Sequence, residues 1–156
     1  MTVAYTDGAY SSKSKTGAIA FVIVEKGVEA HSGSQAYQHS RFEPVTSQRM
    51  ELLAAIHALQ WSSVNRPMRK VTIMTDSKYL VNCMTRWVMR WSMNGWKKAD
   101  GVSDVANRDL LEQLIELTTG RFVNWRWVKG HNGDKWNERA DALAVQAIEQ
   151  SKAVFA

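Results

Sequence analysis

The sequence predicts an α/β domain built on a mixed sheet. Three strand-like runs follow one another near the start, and later strand-like runs alternate with helical segments, giving the order β-β-β-α-β-α-(α)-α-β-α. That order corresponds to a five-stranded sheet, an antiparallel meander plus parallel strands, flanked by helices. A chain of 156 residues with 45% hydrophobic and 22% charged residues suits one compact domain.

The three opening strands are predicted between residues 3 and 37. Val3–Thr6 is a short strand-like run, and Ala18–Val24 is apolar throughout. Val28–Tyr37 alternates loosely and returns after the turn at Lys26 and Gly27. These runs therefore form consecutive hairpins.

The first long helix is predicted to begin at Thr46 or Ser47. Residues 49–59 are rich in strong helix formers and are apolar almost all round, so this helix is expected to be buried. Val71–Thr75 then forms a strand, and a short helix follows it through Cys83.

The last third of the chain predicts a helix, a strand and a helix. Asn107–Leu117 and Asp134–Gln150 carry apolar residues at helical spacing, and Phe122–Val128 is the strand between them. Only two prolines and no Ser- or Gly-rich linker interrupt the chain. We therefore expect one catalytic domain over residues 1–150 and a short C-terminal tail over residues 151–156.

The charge balance favours a polyanionic partner. Twenty Lys and Arg against fifteen Asp and Glu give a net charge of +5 at pH 7. The single cysteine, Cys83, excludes an internal disulfide framework and any zinc site made of several cysteines. No run approaches the roughly 20 apolar residues of a membrane span, and no secretory leader precedes the first strand. We therefore expect a cytoplasmic protein without a membrane segment.

Four acidic residues stand in settings where a carboxylate is informative. Asp7 and Asp76 each follow a strand, and ligands of open α/β sheets bind at the carboxyl ends of strands. Glu51 and Asp141 lie early in apolar helices, where a carboxylate must be paired, protonated or bound to a metal. Any one of these acids alone is also explained by a helix cap, a turn or a salt bridge.

A cluster of these acids would require a cation. Two carboxylates about 4 Å apart repel each other by about 4 kcal/mol at an effective dielectric constant of about 20. A divalent ion removes that repulsion, and oxygen-rich, partly hydrated sites suit magnesium or manganese. Periodicity does not show whether the four acids converge, so the sequence pattern alone leaves the metal site open.

Five segments closely resemble bacterial ribonuclease H of type I, in the same order and at similar spacing. They are Tyr5–Gly8, Arg49–Ile56, Thr75–Tyr79, Trp127–Gly133 (Trp-Val-Lys-Gly-His-Asn-Gly) and Asn137–Ala144. The resemblance covers nearly the whole chain. It implies the ribonuclease H-like fold, with a basic protrusion beside the sheet, and the activity of a metal-dependent phosphodiester hydrolase.

The resemblance also implies which residues form the catalytic site. The family's four acids match Asp7, Glu51, Asp76 and Asp141, and they hold two magnesium ions, for which manganese is a possible substitute. Asp7, on the central strand, matches the acid that bridges the two ions. His131 matches a histidine on a mobile loop near the scissile phosphate, where an imidazole can move a proton or assist product release.

Residues 85–107 are expected to touch nucleic acid. They interleave cations with three of the seven tryptophans: Arg86, Trp87, Arg90, Trp91, Trp96, Lys97 and Lys98. A tryptophan stripe also packs a helix on a core, and both uses are open. The resemblance implies that this handle segment grips the DNA strand of a hybrid, with the three tryptophans and two lysines in contact. It further implies that Thr46 and Asn107 bind a DNA phosphate and that Gln48 contacts the hybrid.

The chain departs from the family after Asp7. The family commonly has a Gly- and Pro-rich turn after Asp-Gly-Ser, whereas residues 7–17 read Asp-Gly-Ala-Tyr-Ser-Ser-Lys-Ser-Lys-Thr-Gly. That loop normally helps to read RNA hydroxyls in the minor groove. In the handle segment, Asp100 and Asp104 stand where further lysines are common. We therefore expect altered contacts in the loop and a weaker grip on DNA.

The expected function is an endoribonuclease that hydrolyses the RNA strand of RNA–DNA hybrids. It would use two metal ions and leave 3′-hydroxyl and 5′-phosphate ends. The hybrid is the expected partner, with no obligate protein partner and a monomeric state. The alternatives are another polynucleotidyl transferase on the same fold and a hybrid-binding module with weak or no activity. A protein-interaction domain explains the composition and none of the motifs.

Overall fold

The protein is built on one five-stranded sheet in the order β3-β2-β1-β4-β5. The structure, a computed structural model, describes residues 1–154. Its strands are β1 (Thr2–Ser11), β2 (Thr16–Glu25), β3 (Val28–Gln38), β4 (Val71–Thr75) and β5 (Val123–Trp127). Pairing is antiparallel between β1, β2 and β3, and it is parallel between β1, β4 and β5. The predicted mixed sheet with an antiparallel meander and parallel strands is confirmed.

Helices flank this sheet and connect its parallel strands. They are α1 (Ser47–Asn65), α2 (Lys78–Asn82), α3 (Val88–Met93), α4 (Arg108–Thr118) and α5 (Lys135–Val154). A π-helical turn joins α2 to α3, so the predicted short helix continues past Cys83. The last helix runs four residues beyond Gln150, so residues 151–154 of the expected tail are helical, and residues 155 and 156 lie outside the described residues.

Strand β2 forms the centre of the core because both of its faces are covered. Ile19, Phe21 and Ile23 pack in the larger core cluster, to which α1 and α4 contribute. The alternate residues, Ala18 and Ala20 among them, pack against apolar residues of α5. A strand that is buried on both faces has to be apolar throughout, which explains the continuous run in the sequence.

Helix α1 is buried along most of its length, as its sequence predicts. It begins where the Oγ1 hydroxyl of Thr46 accepts a hydrogen bond from the backbone N–H of Arg49 at 3.1 Å. Leu52, Ile56 and Leu59 are almost fully buried in the larger cluster. The helix is therefore fixed in position over the sheet, together with every side chain that it carries.

No helix within residues 1–154 combines the length and apolar character that crossing a membrane requires. Cys83 is a free cysteine and is buried in the larger core cluster. Burial raises the pKa of its thiol to about 11, so the side chain is a neutral part of the packing.

An ion pair joins the start of β1, the end of β2 and the end of α1. Arg66 donates hydrogen bonds of 2.9 and 2.7 Å to the two carboxylate oxygens of Glu25, and the Thr2 hydroxyl donates another at 2.7 Å. Arg69 lies 3.5 Å from the same carboxylate. The hydrogen bonds from Arg66 and Thr2 lower the pKa of Glu25 to about 2.

Replacing Glu25 with glutamine should lower the free energy of unfolding by about 1 kcal/mol at neutral pH. Because folding depresses the pKa of this carboxyl, its contribution is present above the ordinary value of 4.5 and is lost as the pH falls towards 2. Urea denaturation of E25Q, the wild type and E116Q, which changes an exposed glutamate on α4, measures the effect. Equal unfolding free energies for E25Q and E116Q at neutral pH would contradict the prediction.

Candidate active site

The register between β1 and β4 brings two acids side by side. The parallel pairing ends at Thr6 and Thr75, and the next residues in the two strands are Asp7 and Asp76. The sequence prediction that the first strand ends at Asp7 is wrong, because β1 continues to Ser11 in antiparallel pairing with β2. What ends at this point is the parallel pairing, so both carboxylates lie at the carboxyl edge of parallel strands, where ligands bind.

Close packing of α1 on β1 adds a third carboxylate. A Cβ atom on Gly8 would lie 2.5 Å from the carbonyl carbon of Met50 and 2.6 Å from the backbone nitrogen of Glu51, so only glycine fits. The backbone N–H of Gly8 donates a hydrogen bond to Oε1 of Glu51 at 2.5 Å. The absence of a side chain at Gly8 thus allows the acid on the helix to reach the strand.

Asp7, Glu51 and Asp76 form a compact acidic cluster. Each offers one carboxylate oxygen, and these oxygens lie within 4.8 Å of one another. Asp7 is 4% exposed and Glu51 is 8% exposed. Oε2 of Glu51 is buried and has no hydrogen-bond partner among residues 1–154. An unpartnered acceptor beside two other acids fits a bound cation, which would supply the missing contact.

The pKa values of the clustered acids reflect both their burial and their mutual repulsion. Burial raises the pKa of Asp7, and the negative charges of Glu51 and Asp76 raise it further. Burial and the charge of Asp76 likewise raise the pKa of Glu51, against the lowering effect of the Gly8 hydrogen bond. Without a cation, the cluster therefore holds on to protons that isolated carboxyl groups would release.

Asp141 and His131 complete the surroundings of the cluster. Asp141, on α5, also raises the pKa of Asp7. Asp141 and His131 line one open cleft of about 410 Å³ together with the three clustered acids. Asp141 nevertheless lies outside the group of closest oxygens. His131 is exposed and its backbone is left-handed, with φ at 54°, next to Gly130.

Three residues that the sequence reasoning did not single out hold Asp76. The indole N–H of Trp127 donates to the backbone carbonyl of Asp76 at 3.0 Å. The buried amide of Asn137 lies 3.5 Å from Oδ2 of Asp76. A Cβ on Gly130 would lie 2.7 Å from the same oxygen. All three belong to the segments 127–133 and 137–144, so the resemblance was the available signal.

The residues expected to bind substrate on α1 and before α4 lie beside the cleft. Gln48 lines it, and Thr46 caps the helix on the same turn. Asn107 has a left-handed backbone, its amide donates to the Tyr79 hydroxyl at 2.9 Å, and Arg49 donates to its side-chain oxygen at 3.4 Å. Arg49 therefore connects the start of α1 to Asn107.

The handle segment divides its tryptophans between core and surface. Trp87 and Trp91 are half-buried, with ring centroids 5.6 Å apart. Trp96 is only 7% exposed and packs in the main core, so the expectation that it contacts nucleic acid is corrected. Lys97 forms an ion pair with Asp104, whereas Lys98 is exposed. The surface that this segment offers therefore includes its cations and parts of two indoles, together with the exposed side chains of Met89, Met93 and Val102.

The segment after Asp7 is mostly strand. β1 continues to Ser11 and β2 begins at Thr16, so only residues 12–15 form the turn. The expected loop of altered contacts is therefore a short hairpin turn, which carries Lys13 and Lys15 at the same end of the sheet as the acidic cluster.

Comparisons with known proteins agree on one family. The family model described as RNase H matches residues 1–149. The ribonuclease H of Francisella philomiragia is 42% identical over 149 residues, which are 95% of this chain and 91% of that protein. The ribonuclease H of Pelobacter propionicus is 40% identical over 95% of this chain and 85% of its own length.

Solved structures support the same fold. LC9-RNase H1, described as a type 1 RNase H with the type 2 active-site motif, has a TM-score of 0.75 and 27% identity over 96% of this chain and 72% of its own. LC11-RNase H1, solved in complex with an RNA/DNA hybrid, has a TM-score of 0.71 over 97% of this chain and 99% of its own. At 20% identity, this likeness shows only that the two chains share a fold.

Replacing Asp7 with asparagine should stabilise the metal-free protein at neutral pH by at least about 1 kcal/mol. The change keeps the side-chain volume and removes one of the repelling charges. Because folding raises the pKa of Asp7, the wild type should lose stability in chelator as the pH rises from about 4 to 8, and D7N should lose less. Thermal melts across that range, with E149Q as an exposed carboxylate control, test this. A D7N protein that melts below the wild type throughout would contradict it.

Proposed function

This chain belongs to the ribonuclease H family, and from that membership we propose that it cuts the RNA strand of RNA–DNA hybrids as an endonuclease. The products would carry 3′-hydroxyl and 5′-phosphate ends. The observation that carries the proposal is the cluster of Asp7, Glu51 and Asp76, of which the first two are buried, with one carboxylate oxygen left unpartnered. The relatives named ribonuclease H, 42% and 40% identical to this chain, support the choice of substrate.

The acidic residues of the cleft would hold two magnesium ions, with manganese as a substitute. Asp7, Glu51 and Asp76 offer the closest oxygens, and Asp141 offers another from α5. Asp7 interacts with all three of the other acids, which makes it the ligand best placed to be shared. Two bound ions supply an activated water and neutralise the charge that develops on the leaving oxygen.

His131 would move a proton at the leaving oxygen. It lines the same cleft, it is exposed, and its left-handed backbone follows Gly130 in a loop without regular structure. An imidazole has one ring nitrogen that can accept a proton and one that can donate it. His131 would thus approach the reacting phosphate from an exposed turn, whereas Asp7 and Glu51 are held by the sheet and by α1.

The hybrid would be held by contacts on both sides of the acidic cleft. Thr46 and Asn107 would contact a DNA phosphate, and Gln48 would contact the hybrid inside the cleft. The handle segment would contact the DNA strand through Trp87, Trp91, Lys97 and Lys98, and Trp96 would support it from the core. These contacts are separate from the acids, so binding and cleavage can be altered independently.

Replacing Asp76 with asparagine should abolish cleavage and leave hybrid binding intact, because one ligand charge is lost without a change of volume. Cleavage of an end-labelled RNA–DNA hybrid, the matching RNA duplex and the matching DNA duplex is measured in magnesium, in manganese and in chelator. E149Q, which neutralises an exposed carboxylate on α5, is the control and should cut like the wild type.

Three results would count against the proposed function. Cutting of either pure duplex at the rate of the hybrid would remove the strand specificity. Cutting in chelator would remove the metal requirement. Binding of the hybrid without cutting under every condition would favour the alternative of an inactive hybrid-binding module.

Replacing Lys98 with alanine should weaken hybrid binding. It should also reduce by about one the slope of the logarithm of the binding constant against the logarithm of the salt concentration. Replacing Lys97 should have a smaller effect, because Asp104 already neutralises that ammonium group. Fluorescence anisotropy of labelled hybrid at several salt concentrations measures both slopes, with K70A as a control for an exposed lysine elsewhere. An unchanged slope for K98A would contradict the role of the handle segment.

A further inference from the structure

A tight turn before α1 displays an arginine and a phenylalanine at its tip. The backbone N–H of Ser40 donates to the carbonyl of Glu43 at 3.1 Å, and the N–H of Glu43 donates back to the Ser40 hydroxyl at 2.9 Å. Arg41 and Phe42 occupy the two central positions of this turn. Phe42 is 87% exposed, and the guanidinium carbon of Arg41 lies 5.8 Å from the centre of its ring.

Hydrogen bonds on both sides hold this turn against the body of the protein. The backbone N–H of His39 donates to the carbonyl of Lys15 at 2.9 Å, and its Nδ1 accepts from the N–H of Val45 at 3.0 Å. Nε of Arg49 donates to the carbonyl of Pro44 at 3.1 Å. The tip is therefore presented by an ordered turn, and its contact with a ligand would require little loss of backbone entropy.

The turn adjoins the position proposed to bind a DNA phosphate. Thr46 lies three residues after Glu43, and Arg49, which contacts Pro44, also contacts Asn107. Phe42 lines a groove of about 270 Å³ with Arg49 and residues of α4, and the acidic cluster does not contribute to this groove. The turn therefore lies beside the catalytic cleft and outside it.

The chemistry at the tip suits a nucleotide. A single exposed phenylalanine is ordinary on a protein surface. Here it is accompanied by Arg41 and by the basic hairpin turn of Lys13 and Lys15. The acids that line the same groove are Glu43 and Asp109, and Asp109 is already paired with Arg49. A phenyl ring stacks on the face of a base while neighbouring cations attract the phosphates.

The stacking requirement selects an unpaired base. Bases inside a duplex are covered on both faces by their neighbours, so a protruding ring meets a free face only at a duplex end or where a strand continues alone. We propose that the Arg41–Phe42 turn binds an unpaired nucleotide where the DNA strand extends beyond the hybrid. This inference rests on the proposed function, because the strand is assigned from the phosphate position at Thr46 and Asn107.

The test compares a blunt RNA–DNA hybrid with hybrids that carry a single-stranded extension of either strand, at either end. Binding is measured by anisotropy in chelator, so the result does not depend on cleavage. The wild type should bind one DNA-extended hybrid about five- to tenfold more tightly than the blunt one. F42A should lose this preference, and F42W should keep it. R41A should bind the extended hybrid with a smaller preference, and that preference should depend less on salt.

F122A is the matched control, because Phe122 is 82% exposed and directly precedes β5, at the edge of the sheet opposite to β3. It should keep the preference in full, and F42A should bind and cut the blunt hybrid within about twofold of the wild type. A wild type without preference, or an F42A protein that retains it, would overturn the proposal. A preference for RNA extensions would overturn the strand assignment. Failure of the proposed function would instead appear as a wild type that cuts no hybrid at all.

Discussion

The repulsion within the acidic cluster is the constraint around which the structure is arranged. Three carboxylate oxygens share a space less than 5 Å across, two of the side chains are buried, and folding has to hold them there. The main-chain geometry holds the three acids in place. The β1–β4 register aligns Asp7 with Asp76, and the bare Cα of Gly8 lets α1 bring Glu51 against the strand. Because the acids are fixed by main-chain geometry, they need no mutual attraction to stay together.

The stabilising interactions are placed away from this cluster. Strand β2 packs apolar residues on both faces, and the ion pair between Glu25 and Arg66 lies where β1 begins, at the opposite end from Asp7. Proteins often tolerate unfavourable interactions at a functional site when the remainder of the fold offsets them. Here the offset comes from the core and from the far end of the sheet, so the cleft can remain open and polar.

The sequence predicted the elements well because their patterns are local. The continuous apolar run of β2 and the apolar helix α1 follow from burial on all sides, and the mixed sheet follows from the alternation of elements. Where the sequence failed, the deciding contact was distant. The first strand does not end at Asp7, because β2 continues to pair with it. The roles of Gly8 and Asn137 depend on α1 and on Asp76, which lie 43 and 61 residues away. The prediction that the four acids converge came from the resemblance to the family, because periodicity does not show which distant residues meet.

The handle segment shows why composition alone misassigns surface residues. Its three tryptophans all stand beside a cation in sequence, yet Trp96 packs in the core and Trp87 and Trp91 remain half-exposed. The difference follows from the chain path: α3 ends at Met93, and the backbone then turns inward through Gly95 and Trp96, both with positive φ. A buried Trp96 anchors the segment that presents Lys97 and Lys98, so a core aromatic residue determines where these cations lie. The position of this charged surface thus depends on how the core holds the segment as much as on the charges themselves.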